Sequence, residues 1–367
     1  MENIFTGKPS FILEHRPFFS IIIPCYNSKK TIGNLLESIV SQNMDDDLEV
    51  ILSDDCSTES YQEIVEQYKY SLSIKQIQTD YNFAPGNTRE KGVSIAEGEW
   101  ILFADHDDVF FPETLSLIKE ELLTTGEKYY AIANFVEADP ETGTVIREMR
   151  GTRNWNHAKF YNLDNFWKAY NIHFKKDLLT HEDIYISSTV NCIIEDISEQ
   201  GPLFIDVFCY IWNSRPTSVS REKYGNHPFL ETFFQDYVDA TGNLYMDMLE
   251  QGKTNNFEYI LYSSIEVLLF CYFYYQGFVF HDPENYIREN DDICRNYLVR
   301  IKETFGIDNN FIWNYCAEND AEMFTGVKKS AFMASGPYIE NETFRQWLNR
   351  MHKDITPRVT MSESMNK

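Results

Sequence analysis

Short apolar runs alternate with amphipathic segments along the first third of the chain. Phe18–Ile23 is a continuous run of β-forming residues that ends at Pro24, which predicts a buried strand. Apolar residues from Ile32 to Val40 recur at helical spacing, which predicts a helix. The same signals predict further strands at Leu48–Leu52, Ile74–Ile77 and Trp100–Ala104, and helices at Ile64–Tyr68 and from Ala84–Asn87 to Ala96. This alternation predicts a largely parallel sheet with helices on both faces.

The pattern changes after about Gly225. Residues 229–248 and 258–280 are predicted to form helices rich in Phe and Tyr, and 340–352 a shorter helix before a frayed tail. A chain of 367 residues is long enough for two domains. We therefore expect an α/β domain followed by an α-helical C-terminal domain.

Composition and charge narrow the class of protein. Apolar residues make up 43% and charged residues 24%, which provides a packed core and excludes global disorder. The net charge of -25, without a basic half, disfavours a nucleic-acid partner. Seven cysteines without a CxxC pair predict reduced thiols.

Membrane and export signals are weak. Residues 1–16 lack the regions of a signal peptide, so we expect a cytoplasmic protein. The most apolar stretch, Val267–Tyr275, is far shorter than the roughly 20 residues that span a bilayer. We expect no transmembrane segment, and peripheral membrane contact stays open.

Three polar clusters follow predicted strands, at Pro24–Asn27, Asp54–Ser57 and Asp105–Asp108. In an open parallel sheet the ligand lies at the carboxyl ends of the strands. Carboxylates brought together there repel one another unless a cation or raised pKa values relieve them. Oxygen ligands favour Mg²⁺ or Mn²⁺ over zinc. Each cluster alone is also typical of helix capping. Asp107 and Asp108 are candidate N-caps for the helix predicted to start near Pro112.

Three stretches together carry a family resemblance: SIIIPCYNSKKTIGNLLESIVSQ, EVILSDDCST and GNTREKGVSIAEGEWILFADHDD. In this order and spacing they resemble the nucleotide-binding half of the family 2 glycosyltransferases. That resemblance implies a GT-A fold, with a Rossmann-like, mostly parallel central sheet flanked by helices.

The resemblance implies specific roles for residues of the donor half. Asp54 and Asp55 would approach the base and ribose, Arg89 the diphosphate, and Asp105 and Asp107 the metal ion. The implied donor-binding residues are Pro24, Tyr26, Asn27, Asp54, Asp55, Asn87, Arg89, Asp105 and Arg215. His106 departs from the small residue usual in the family, and we interpret it as a polar rim residue rather than a metal ligand.

The resemblance continues more weakly to about Ser220 and implies a Glu-Asp pair at an acceptor-side helix, here Glu182 and Asp183. Asp183 would be the catalytic base that takes a proton from the attacking hydroxyl, and Glu182 would bind a sugar. The alternative is two acids placed favourably in a first helical turn. His157 is more typical of a hydrogen-bonded structural residue, and Arg215 is alternatively a solvated loop residue.

The function implied by the resemblance is an inverting, metal-dependent glycosyltransferase. Its cofactor would be Mn²⁺ or Mg²⁺, its donor a nucleotide sugar, favoured as a UDP-hexose or UDP-N-acetylhexosamine, and its acceptor a hydroxyl of a glycan, cell-wall polymer or other molecule. Two alternatives stay open: a sugar nucleotidyltransferase, and a non-catalytic sugar- or partner-binding protein on the same fold.

The domain organisation follows from the extent of the matching segments. We expect an extension over 1–17, a GT-A domain over 18–224 and a helical domain over 225–367. The GT-A domain would divide into a donor part, 18–125, and an acceptor part, 126–224. The aromatic-rich helical domain leaves homo-oligomer formation open.

Overall fold

The computed structural model describes residues 5–6, 16–79, 85–153, 157–176, 178–215, 230–268, 289–308 and 311–312. The chain divides into two compact units, 1–222 and 223–367.

The first unit is built on a single sheet. Its strands are β1 Phe5–Thr6, β2 Phe19–Cys25, β3 Leu48–Asp54, β4 Ser73–Gln78, β5 Trp100–Phe103, β6 Val109–Phe110, β7 Tyr130–Ala138, β8 Val145–Met149, β9 Lys159–Asn162 and β10 Leu203–Asn213. Its helices are α1 Ile32–Val40, α2 Gln62–Tyr68, α3 Pro85–Ser94, α4 Thr114–Thr125 and α5 Glu182–Ile197.

The strand order is β1-β4-β3-β2-β5-β9-β7-β10-β6, with β8 paired to β7 outside this path. Strands β4, β3, β2 and β5 are parallel neighbours, and β10 runs parallel to β7. The short strand β9 is antiparallel to both β5 and β7 and joins the two parallel groups. The predicted α/β fold with flanking helices is confirmed. The sheet is mixed: among the described strands four pairings are parallel and five are antiparallel, and the apolar pattern did not reveal the antiparallel ones.

The core of this unit follows from the apolar runs of the central strands. Every residue of β3 and all of β2 except Pro24 are buried, as expected for strands covered on both faces. The apolar stripe of α1, including Leu35 and Leu36, belongs to the same core. The carboxyl ends of β2, β3 and β5 are thereby fixed side by side.

The described helices of the second unit are α6 Leu230–Val238, α7 Leu244–Glu250, α8 at 257–268 and α9 Glu289–Phe305. A π-helical turn, Asp239–Asn243, connects α6 to α7. Tyr297 of α9 packs so closely on this turn that a Cβ added at Gly242 would lie 2.0 Å from its hydroxyl oxygen. The predicted helical C-terminal region is confirmed, whereas the predicted helical residues 269–280 and 340–352 and the tail lie outside the described residues.

The start of α4 and the length of the described helices test two of the sequence predictions. The N-cap of α4 is Glu113, in a left-handed conformation, so neither Asp107 nor Asp108 caps that helix. Among the helices within the described ranges, none has the length and apolarity needed to cross a bilayer.

Two helical glycines provide a matched test of this packing. A Cβ at Gly92 of α3 would lie 2.5 Å from the Cγ2 of Ile22 in β2, whereas a Cβ at Gly33 of α1 would meet nothing within 4 Å. Gly92→Ala should therefore destabilise the chain by about 1–3 kcal/mol. Gly33→Ala should stabilise it by about 0.5–1 kcal/mol through helix propensity. Urea denaturation measures both, and equal midpoints for the two variants would contradict the packing of α3 on β2.

Candidate active site

The carboxyl edge of β2, β3 and β4 carries two of the polar clusters. Cys25 ends β2 opposite Asp54 at the end of β3, and Asp54 pairs in turn with Gln78 of β4. The carboxylate of Asp54 is buried and accepts hydrogen bonds from the Ser57 backbone N–H at 3.0 Å and the Gln78 amide at 2.9 Å. Pro24 lies half-buried within β2. The pairing of β2, β3 and β4 thus places Cys25, Asp54 and Gln78 side by side at this edge of the sheet.

Asp55, Tyr26 and Asn27 lie on the same edge. The Oδ1 atom of Asp55 accepts a hydrogen bond from the Thr79 hydroxyl at 3.1 Å. Asn27 has a left-handed φ of 49°, and its side-chain oxygen accepts two hydrogen bonds from Thr58. The side chain of Tyr26 is 50% exposed. An exposed aromatic ring beside fixed carboxylates suits stacking on a planar ligand.

A buried arginine joins the third cluster to the start of α5. Arg89 of α3 is 7% exposed, and its guanidinium donates to Asp105 Oδ1 at 2.8 Å and to Glu182 Oε1 at 2.7 Å. Helix α3 lies this close to α5 because Gly86 has no side chain; a Cβ there would be 3.0 Å from the Cβ of Glu182. One cation therefore bridges the predicted donor side and the predicted acceptor side.

The charges of this bridge perturb one another. Burial alone would lower the pKa of Arg89, but Asp105 and Glu182 outweigh it and raise that pKa. Although desolvation acts to raise the pKa of Asp105, the positive charge of Arg89 holds it below its usual value. The pKa of Glu182 is raised, because burial and the nearby Asp183 together outweigh Arg89. The two carboxylates therefore lie in different electrostatic environments.

The loop from Asp105 to Asp108 is bonded to the end of β10. The Tyr210 hydroxyl donates to Asp108 Oδ2 at 2.7 Å and accepts from the Asp105 backbone N–H at 3.0 Å. The Asn213 backbone N–H donates to Asp108 Oδ1 at 2.8 Å, and its side-chain amide donates to the carbonyl of Asp107 at 2.6 Å. Asp108 is 1% exposed, and burial with the neighbouring Asp105 raises its pKa well above the usual value.

A histidine ring lies beside this loop. His157 stacks on Tyr210 with ring centroids 5.4 Å apart and on Trp212 at 5.5 Å. Burial lowers the pKa of His157 against the opposing effect of Asp105. Ligand atoms of Asp105, Asp108 and His157 all lie within 4.8 Å of one another. Both Asp108 oxygens already accept hydrogen bonds, so Asp108 is the less suitable metal ligand of the group.

Asp107 and His106, the other polar residues of the loop, lie nearer to solvent than Asp108. The side chain of Asp107 is 29% exposed, and its Oδ2 atom lies 3.7 Å from the guanidinium of Arg215. His106 places its Nδ1 atom 2.8 Å from the Thr31 hydroxyl at the start of α1. The partly exposed carboxylates of Asp105 and Asp107 offer the hard oxygen donors that Mg²⁺ and Mn²⁺ prefer. The residues present therefore fit a divalent cation.

Asp183 follows Glu182 in the first turn of α5, where its Oδ1 accepts a hydrogen bond from the Ile184 backbone N–H at 2.8 Å. One turn further on, Ser187 lies on the same helix face and accepts a hydrogen bond from Lys159 at 3.0 Å. The ammonium of Lys159 is fully buried and also donates to the carbonyl of Arg153 at 2.7 Å. Burial lowers the pKa of Lys159 to about 7, against the opposing charge of Asp183.

The structure brings Arg89, Asp105 and Glu182 into direct contact, whereas the Asp54 side makes its own local bonds. Asn87, on the same helix as Arg89, donates its side-chain amide to the carbonyl of Lys176 at 3.0 Å. The sequence pattern placed Asp108 in a polar cluster but gave it no supporting role, and it did not point to the other supporting residues, Tyr210, Asn213 and Lys159. A lysine directly before two aromatic residues, in the segment KFYN, was the available signal for Lys159.

A family model and several known proteins match part of the first unit. Residues 20–178 match the model named "Glycosyl transferase family 2". The chain is 43% identical over 99 residues to the poly(ribitol-phosphate) beta-N-acetylglucosaminyltransferase TarS of Staphylococcus aureus strain Mu50, a match covering 26% of this chain and 17% of TarS. It is 42% identical over 99 residues to the poly(ribitol-phosphate) beta-glucosyltransferase of Bacillus spizizenii, covering 26% and 16%.

The solved structures extend the likeness in fold. The crystal structure of S. aureus TarS 1-349 in complex with UDP-GlcNAc matches with a TM-score of 0.63 and 18% identity, over 94% of this chain and 92% of that one. The 99-residue segments matched in the two enzymes named for poly(ribitol-phosphate) cover less than a fifth of the length of those proteins. The resemblance to family 2 glycosyltransferases is therefore confirmed over 20–178, and the GT-A fold is confirmed.

The buried lysine makes a pH-dependent prediction. Because its folded pKa of about 7 lies below the usual 10.5, the folded chain binds fewer protons than the unfolded chain between these values. The wild-type free energy of unfolding should therefore rise with pH across this window, relative to Lys159→Met, by at most about 1.4 kcal/mol per pH unit. Urea denaturation from about pH 6 to 10 measures this difference.

The exposed Lys128 provides the control, since Lys128→Met removes an ammonium from solvent. Its stability curve should run parallel to that of the wild type. If the Lys159→Met curve also ran parallel to the wild type, the side chain of Lys159 would not be buried as a charged group.

Proposed function

We propose that this chain, whose residues 20–178 match the family 2 glycosyltransferase model, moves a sugar from a nucleotide diphosphate donor to a hydroxyl acceptor. The observation that carries the proposal is the contact of Arg89 with both Asp105 and Glu182. We propose that the Arg89 guanidinium, between these carboxylates, would face the diphosphate on one side and the acceptor group on the other. The charged groups of the proposed reacting centre would then come from α3, the loop after β5 and α5.

The donor we propose is a UDP-sugar. The support is a fold matching a TarS structure bound to UDP-GlcNAc, together with a ring and carboxylates at the end of β2 and β3. Tyr26 would stack on the base, and Asp54 and Asp55 would accept hydrogen bonds from the base and ribose. Asn27 and Pro24 would shape the same edge, with Asn87 further along the donor side.

The divalent cation would be Mn²⁺ or Mg²⁺, held by Asp105 and Asp107. Asp107 is preferred over Asp108 because its carboxylate is partly exposed, while both Asp108 oxygens are bonded to β10. When bound, such a cation stabilises the negative charge that develops on the departing diphosphate. Arg215, which lies 3.7 Å from Asp107, would bind the same diphosphate from the end of β10.

The transfer itself would be one in-line displacement that inverts the anomeric carbon. The acceptor oxygen forms a bond to that carbon as the bond to the diphosphate oxygen breaks, and the hydroxyl proton passes to Asp183. Glu182 would bind a sugar hydroxyl while remaining bonded to Arg89.

The acceptor we propose is a hydroxyl of a polymer such as a polyol phosphate. Its support is the segment shared with two relatives that are named for poly(ribitol-phosphate). A nucleotidyltransferase would instead release inorganic diphosphate from a nucleoside triphosphate, and a binding protein would release nothing. Identification of the released nucleotide separates these three functions.

The first prediction under this proposal concerns the metal and the donor. UDP should bind at least about tenfold more weakly in EDTA than in Mn²⁺, because Asp105 and Asp107 repel an unbridged diphosphate. Asp107→Asn should abolish most of the Mn²⁺ enhancement, whereas Glu113→Gln, an exposed acid further along the chain, should retain it. Calorimetry measures each affinity, and a GDP affinity exceeding that for UDP would reject the uridine assignment.

The second prediction concerns the base. Asp183→Asn keeps the size of the side chain but cannot take the proton, so transfer should fall by roughly 10²- to 10⁴-fold while donor affinity barely changes. Asp196→Asn replaces an exposed acid at the far end of α5 and should transfer at the wild-type rate. Transfer of radiolabelled sugar to polymer measures both. An Asp183→Asn variant with more than half the wild-type rate would remove Asp183 from the mechanism.

A further inference from the structure

The loop from Asp105 to Asp108 places three carboxylates within four residues, where they repel one another. The guanidinium groups of Arg89 and Arg215, beside Asp105 and Asp107, offset part of that repulsion. Two residues of β10 bond the loop from one side. Tyr210 bonds both Asp105 and Asp108, at 3.0 and 2.7 Å. Asn213 bonds both Asp107 and Asp108, at 2.6 and 2.8 Å. Each carboxylate-bearing residue of the loop is thus bonded to one strand.

The position of the Tyr210 hydroxyl is set by packing rather than by the loop. Tyr210 is fully buried, and its ring contacts Phe110 edge-on at 5.1 Å and stacks on His157 at 5.4 Å. Backbone pairing fixes the strand itself, since Tyr210 of β10 lies opposite Phe135 of β7 and Phe110 of β6. A rigidly held hydroxyl can therefore impose a conformation on the self-repelling loop.

Asp108 is the element through which this conformation is imposed. Its oxygens each accept one hydrogen bond, one from Tyr210 and one from Asn213, and its backbone N–H donates to the carbonyl of Asp105 at 3.0 Å. Asp108 therefore closes the loop into a turn whose other two carboxylates, on Asp105 and Asp107, stay partly exposed. Asp108 thus supports the loop, whereas the carboxylates of Asp105 and Asp107 are available to a ligand.

We infer that Tyr210 and Asn213 are positioning residues, which hold the Asp105 and Asp107 carboxylates in the arrangement that binds the divalent cation and the donor diphosphate. This inference rests on the proposed function. Strand β10 thus determines cation affinity although it contributes no ligand from these two positions. Because Arg215 follows closely after Asn213, the same strand end also sets the distance between that guanidinium and Asp107.

The test uses the full chain and measures Mn²⁺-dependent UDP binding and sugar release from UDP-GlcNAc. Tyr210→Phe removes only the hydroxyl and retains the ring contacts. We expect the half-saturating Mn²⁺ concentration to rise at least about tenfold, with turnover at saturating Mn²⁺ within about threefold of the wild type. Asn213→Ala should raise it in the same direction. In the double variant, the half-saturating Mn²⁺ concentration should rise by less than the product of the two single-variant increases, because both residues hold one loop.

Tyr130→Phe is the matched control, since Tyr130 is a fully buried tyrosine of the same sheet whose ring stacks on Tyr161 at 5.1 Å. It should change the melting temperature without changing the Mn²⁺ requirement. A Tyr210→Phe variant whose Mn²⁺ half-saturation stays within about twofold of the wild type would overturn the inference, whatever its melting temperature. If Tyr210→Phe does not fold, an Asn213→Ala variant with that same unchanged Mn²⁺ half-saturation would overturn it instead.

Failure of the proposed function has a different signature. A wild-type chain that binds no UDP in the presence of Mn²⁺ would overturn that function and this inference together. A wild type that binds UDP with Mn²⁺, alongside an unaltered Tyr210→Phe variant, would overturn the positioning role alone.

Discussion

The arrangement of the site depends on one buried cation. The guanidinium of Arg89 is almost completely removed from water and lies between two carboxylates that come from different parts of the chain. Without a positive charge there, Asp105 and Glu182 would repel each other, and the largely buried Glu182 would lose the ion pair that compensates its burial. The closeness of α3 and α5 at Gly86 makes the bridge short. Helix α3, the loop after β5 and helix α5 are therefore held together by electrostatics as well as by the sheet.

The central strands and the polar clusters at their ends could be predicted from the sequence. Continuous apolar runs such as Phe18–Ile23 have few alternatives to a buried strand, and parallel strands bring their carboxyl ends to one edge. The family resemblance over the first half rested on the same segments, and the family model covers 20–178. In this region the apolar runs and the polar clusters at the strand ends predict the same arrangement, so the fold could be predicted from the sequence alone.

The support of the site was not accessible in this way. Tyr210 lies 105 residues after Asp105 and Asn213 lies 105 residues after Asp108, so no local pattern connects them. The capping role considered for Asp107 and Asp108 was wrong, because α4 begins at a left-handed Glu113 and the Asp108 carboxylate is bonded to β10 instead. Short antiparallel strands such as β9 also carry too few residues for periodicity to show. Contacts of this kind depend on tertiary pairing, which one sequence does not encode locally.

The placement of β9 has a consequence for how the chain folds during synthesis. Strand β5 pairs with β2 on one side and with β9 on the other, so its second edge finds a partner only once residues 159–162 have left the ribosome. Until then the nascent chain presents an open, apolar strand edge, the feature that most readily recruits another chain. Between the completion of β5 and that of β9, this edge is therefore open to pairing with another chain.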